Sequence, residues 1–98
     1  VKRMSYLKDL GFSEEEIKAL DKNIPDRLKI KLKDNTKLVT TNLSYLKDLG
    51  INNYKEVFNK FYDTFLLDAS TFKAIFDKYE PEDLISKIEK NINIIEYL

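Results

Sequence analysis

A chain of 98 residues, 43% of them apolar, can bury one core but not two. It contains no Cys and no His, which excludes disulfides, thiolate metal sites and the commonest general base. Seventeen basic side chains balance seventeen acidic ones, far from the strongly basic balance of a dedicated nucleic-acid binder, although residues 1–33 hold nine basic against six acidic and residues 50–98 hold six against nine.

Two Gly and two Pro in the whole chain suit helices joined by short connections. No run of eighteen apolar residues is present, so no transmembrane helix is expected. There is no cleavable signal pattern either. Residues 2–10 read as the end of a helix. They include Tyr6-Leu7-Lys8-Asp9-Leu10-Gly11, which returns letter for letter as Tyr45-Leu46-Lys47-Asp48-Leu49-Gly50, 39 residues later. In each copy the Tyr and the two Leu lie on one side of a helix. The Gly that follows can take the left-handed conformation that ends a helix, with Phe12 or Ile51 tucked beneath. A looser version, Ile95-Glu96-Tyr97-Leu98, closes the chain. One helix end used repeatedly is the signature of stacked helical repeats.

Ser13 followed by Glu16 predicts a capping box, and Glu14 to Glu16 suit the positive end of a helix. That helix should bury Ile17 and Leu20, run to about Lys22 and stop before Pro25. The next stretch has two readings. Arg27-Leu28-Lys29-Ile30-Lys31-Leu32-Lys33 alternates basic and apolar residues, which is strand periodicity; with a turn at 34–36 and a return strand at 37–41 it would form a hairpin. Alternatively Asp34 caps a helix from about Asn35 to Leu49, with Leu38, Leu43, Leu46 and Leu49 near one side. The second reading is preferred because the repeat needs a helix to carry Tyr45 to Leu49. Farther on, Asn52 or Asn53 caps a helix bearing Val57, Phe58, Phe61 and Phe65. Asp68 or Ser70 caps another with Phe72, Ile75, Phe76 and Tyr79 inside. Pro81 begins a last helix over about 82–97, with Leu84, Ile85, Ile88, Ile92 and Ile95 at helical spacing. A second echo links Lys18-Ala19-Leu20, Asp21-Lys22 and Pro25 to Lys73-Ala74-Ile75, Asp77-Lys78 and Pro81, with Phe76 inserted.

The candidate site is the basic stretch Arg27, Lys29, Lys31, Lys33 and Lys37. On a strand four of these share a face; on a helix Lys29, Lys33 and Lys37 form a stripe. Lys29 and Lys33 should be exposed in either case. The stretch reads as a phosphate contact or as a solvated face over Leu28, Ile30 and Leu32. The predominance of Lys and the lack of an interleaved aromatic favour the solvated face. Phe58, Phe61 and Phe65 read as core, with Tyr62 at its edge, in preference to a partner-binding cluster. Glu80, Glu82 and Asp83 read as compensation of a helix N-terminus. Asp9 and Asp48, beside the Gly stops, read as surface. No nucleophile motif, phosphate loop or dinucleotide fingerprint occurs, so no catalytic residue, cofactor or metal is expected.

Leu10-Gly11-Phe12-Ser13, Ile17, Pro25 with Leu28, and Leu43-Tyr45-Leu46-Leu49-Gly50 resemble the repeats of the mitochondrial transcription termination factor family. That resemblance implies an α-solenoid binding nucleic acid along a basic concave groove. The chain departs from it in its neutral charge, its few Arg and the missing Pro at Phe65. Leu10-Gly11-Phe12-Ser13 also resembles ubiquitin-associated three-helix domains, which need only about half the chain. The resulting expectation is an all-α fold of short antiparallel helices stacked as two to three irregular repeats, the alternative being α-rich with one β-hairpin at about 27–41. Residues 1–98 would form one helical domain, whole or a fragment of a longer helical-repeat protein. Its expected function is a non-catalytic helical interaction module binding a protein partner, intracellular and cytoplasmic, with no membrane association. The alternative is a nucleic-acid-binding repeat module of transcription-termination-factor type.

Overall fold

Both glycines of the repeated phrase end a helix in the same geometry. Gly11 has φ 95° and Gly50 φ 100°. The Gly11 N–H donates to the Lys8 carbonyl at 3.1 Å and the Phe12 N–H to the Leu7 carbonyl at 3.1 Å. In the second copy the Gly50 N–H donates to Lys47 at 3.1 Å and the Ile51 N–H to Leu46 at 3.3 Å. These paired bonds are the Schellman motif, in which the residue after the Gly closes over the last turn. Phe12 and Ile51 are accordingly buried.

The computed structural model describes residues 2–98, which are helical with no strand among them. A 3-10 helix, Lys2–Leu10, leads to α1 (Glu14–Asn23), α2 (Asp26–Asp34), α3 (Thr36–Leu49) and α4 (Tyr54–Lys60). A 3-10 segment, Tyr62–Leu66, then precedes α5 (Ala69–Asp77), α6 (Pro81–Lys90) and a C-terminal 3-10 helix, Ile92–Tyr97. Ser13 and Glu16 form the expected capping box: the Glu16 N–H donates to Ser13 Oγ at 3.1 Å and the Ser13 N–H to Glu16 Oε1 at 2.8 Å. Pro25 separates α1 from α2, and Pro81 occupies the first turn of α6, where its missing N–H costs nothing.

The alternating stretch 27–33 is helix α2, so the hairpin alternative is not what forms. Helical winding sends Leu28 and Leu32 inward and turns Ile30 away from them. Leu32 is buried, Leu28 half-buried and Ile30 exposed. The preferred helix from about Asn35 to Leu49 is α3, Thr36–Leu49, although Asp34 does not cap it. The backbone breaks at Asn35 (φ −114°, ψ 37°). There Asn35 Nδ2 donates to the Lys31 carbonyl at 2.8 Å and Thr36 Oγ1 to the Lys33 carbonyl at 2.6 Å, satisfying the last carbonyls of α2. The buried stripe of α3 is Val39, Asn42, Leu43 and Leu46; Leu38 and Leu49, expected beside them, are half-buried.

Two further helices are shorter than expected. The α4 backbone breaks at Phe61 (φ −123°, ψ 39°), so Phe65 lies on the 3-10 segment. The last helix breaks at Asn91 (φ −152°, ψ 99°), whose side chain accepts from the Asn93 N–H at 3.2 Å. Asn53 precedes α4 without capping it; its Nδ2 donates to the Ile88 carbonyl at 3.3 Å instead. The buried Asn42, 1% exposed, holds the end of the 3-10 segment that follows the first of these breaks. Its Nδ2 donates to the Phe65 carbonyl at 3.0 Å and to the Leu67 carbonyl at 2.9 Å. Asn42→Leu removes both bonds and leaves two carbonyls without that donor. It is expected to cost about 1–3 kcal/mol, read by urea unfolding; a loss below about 0.5 kcal/mol, the range of an ordinary surface change, would show that the amide does not hold the turn.

The core is a chain of aromatic rings. Phe12 lies 5.9 Å from Phe58, Phe58 5.1 Å from Phe65, Phe65 5.0 Å from Phe72, and Phe72 5.1 Å from Phe76. Tyr45 meets Phe72 edge-on at 6.3 Å. The reading of Phe58, Phe61 and Phe65 as core is therefore correct, and Tyr62 sits half-buried at its edge. The radius of gyration is 12.9 Å, close to the ~13 Å of a globular chain of this length.

Asp68 caps α5. It accepts from the Thr71 N–H at 3.1 Å and from the Ser70 and Thr71 hydroxyls at 2.6 Å. These bonds, the Ser70 hydroxyl first, hold its carboxyl down at about 2. A depressed carboxylate contributes stability that is present above its unfolded value and lost as pH falls through the folded one. The gap in melting temperature between the wild type and Asp68→Asn should therefore be full at neutral pH and close as pH falls from about 4 toward about 2. A gap independent of pH would show that the charge on the cap is irrelevant.

Candidate interaction surface

Pro25 sets the start of α2 and Asp26 fills its first turn. One turn on, Lys29 folds back across the Pro break. Its Nζ lies 3.0 Å from Asp26 Oδ1 and 3.5 Å from Asp21 Oδ1, and it donates to the Asp21 carbonyl at 2.9 Å. Its side chain is 12% exposed. The bond to Asp26, with Asp21 behind it, raises the ammonium above the usual lysine range. Lys29 is thus a staple between α1 and α2. The expectation that it is exposed is corrected, because Pro25 turns the chain so that Asp21 and Asp26 converge on one ammonium.

The other four sequence candidates, Arg27, Lys31, Lys33 and Lys37, are exposed. They do not form the expected stripe with Lys29, since the break at Asn35 puts Lys37 on α3. What α2 does expose is one large apolar side chain among charges of both signs. Ile30 is 49% exposed and stands opposite the inward-facing Leu28 and Leu32. Arg27 and Lys33 lie three residues to either side, as next-turn neighbours, and Lys31 is adjacent. Asp26 and Asp34, each four residues from Ile30 and exposed, are the carboxylates of the same face.

Among the described residues Ile30, Leu67 and Tyr97 are the exposed large apolar side chains. Tyr97 is 81% exposed at the mouth of a groove of about 250 Å³ between the start of α6 and the C-terminal 3-10 helix. Leu84, Ile94 and Leu98 form its apolar walls, and Glu80, Asp83 and Lys87 its polar margin. Tyr79 lines it as well, with Lys78 Nζ 5.8 Å over its ring. A second depression, about 160 Å³, lies between α1 and α4 over Phe12 and Leu20, beside the Lys55–Glu16 ion pair at 3.3 Å.

Tyr97 is the counterpart of Tyr6 and Tyr45 in the looser closing phrase, and those two are engaged. Tyr6 donates to the Leu32 carbonyl at 3.1 Å, and burial pushes its hydroxyl up to about 12. Tyr45 donates to Asp77 Oδ1 at 2.6 Å, and burial, reinforced by that carboxylate, raises it to about 12. Sequence reasoning missed both Ile30 and Tyr97 as surface features. Ile30 was hidden by its strand-like alternation; the wider spacing of Leu28 and Leu32, one helical turn, was the available signal. Tyr97 was legible only as the third Tyr of the phrase.

Glu80, Glu82 and Asp83 sit in the first turn of α6, where the Asp83 N–H donates to Glu80 Oε2 at 2.9 Å, and Asp9 and Asp48 are exposed. Among the described residues no three His, Cys, Asp or Glu converge into a group that could hold a metal ion. No helix among them is long and apolar enough to cross a membrane. Comparisons with protein-family models, with curated proteins and with solved structures find no match to this chain.

Proposed function

We propose that this chain is a non-catalytic helical interaction module, built from irregular helical repeats, that binds a protein partner through the outer face of α2. The observation that carries this reading is Ile30, half exposed on a helix whose other large apolar side chains turn inward, with Asp26, Arg27, Lys33 and Asp34 one turn away on either side. An apolar centre with a charged rim is the layout of a protein interface. Nucleic-acid binding, implied by the termination-factor resemblance, draws on the same cations without the Ile and without an aromatic stacking partner.

A photo-crosslinking amino acid at position 30, in the cell that makes the protein, tests the reading. The expected result is a discrete protein adduct that excess unlabelled wild type competes away and excess Ile30→Asp does not. No adduct to any polypeptide, or equal competition by both, would sink it. A titration against duplex and single-stranded DNA and RNA at two salt concentrations covers the other reading. Phosphate contacts would weaken binding by about 0.7–0.9 log units per log unit of salt for each phosphate neutralised. A micromolar, salt-dependent affinity lost in Lys31→Glu with Lys33→Glu would replace the protein partner with a nucleic acid.

A further inference from the structure

We draw no further inference here: the strongest candidate, the depression of about 160 Å³ between α1 and α4 over Phe12 and Leu20, is a small apolar hollow, and nothing in the structure shows what covers it.

Discussion

Phe65→Ala is expected to cost about 3–5 kcal/mol, the usual range for truncating a buried aromatic. Phe65 is 0% exposed and sits midway in the ring chain, 5.1 Å from Phe58 and 5.0 Å from Phe72. Truncation removes two ring–ring contacts and opens a cavity where α4, α5 and the 3-10 segment converge. The backbone cannot easily close it, because the Phe65 carbonyl is pinned by Asn42. Against a total stability of about 5–15 kcal/mol for a domain of ordinary size, that loss would bring the chain close to unfolding at 37 °C. Phe65→Leu, which keeps most of the volume, should cost less than about 1.5 kcal/mol. Urea unfolding of the three proteins checks the order. An Ala variant within about 1 kcal/mol of the wild type, typical of an ordinary substitution, would mean that the ring chain is not the centre of the core.

Gly11→Val should cost about 2–4 kcal/mol, and more than Gly50→Val, for which at least about 1 kcal/mol is expected from the left-handed backbone alone. The strain at φ 95° and φ 100° is common to both positions. The surroundings differ. A Cβ on Gly11 would stand 2.6 Å from the Tyr54 hydroxyl, whereas one on Gly50 would stand 3.3 Å from Ile85 Cδ1. The Tyr54 hydroxyl is not free to swing away at no cost, because it donates to the Leu10 carbonyl at 2.7 Å and its ring packs edge-on against Phe12 at 6.2 Å. The excess at Gly11 is therefore a coupling to Tyr54. In a Tyr54→Phe background, which lacks the clashing oxygen, Gly11→Ala and Gly50→Ala should cost nearly the same. An unchanged difference between them would place the excess in the backbone and not in the tyrosine. Neutral substitutions at both glycines would mean that the repeated phrase does not end helices at all.

Which features were legible in the sequence follows the range of the interaction behind each one. The glycine stops, the Ser13–Glu16 capping box, the Asp68 cap and the two Pro breaks are set by bonds spanning three to five residues, and all of them stand where the sequence puts them. The inward side of α1 is set by the helical period and follows equally; on α5 Phe72 and Phe76 follow, while Ile75 is half-buried and Tyr79 lies half-buried beyond the helix end. The α2 stretch was ambiguous because alternation is compatible with a strand until something decides which side must be buried. Packing of Leu28 and Leu32 against the N-terminal 3-10 helix and α3 decided it, and that contact exposed Ile30. The fate of Lys29 was illegible for a similar reason: whether a lysine points to water or to Asp21 depends on the turn angle at Pro25.

By itself, then, the sequence determined the helical class, the points where helices begin and end on local caps, and the phenylalanines that make the core. Only the tertiary structure decided where α4 and the last helix break, which cations remain on the surface, and that Ile30 and Tyr97 stand in the open. Those outcomes depend on partners far away in the chain, such as Asn42 reaching the Phe65 carbonyl across 23 residues. A bond of that span contributes only once the rest of the core has brought its two ends together, so no window of the sequence contains it.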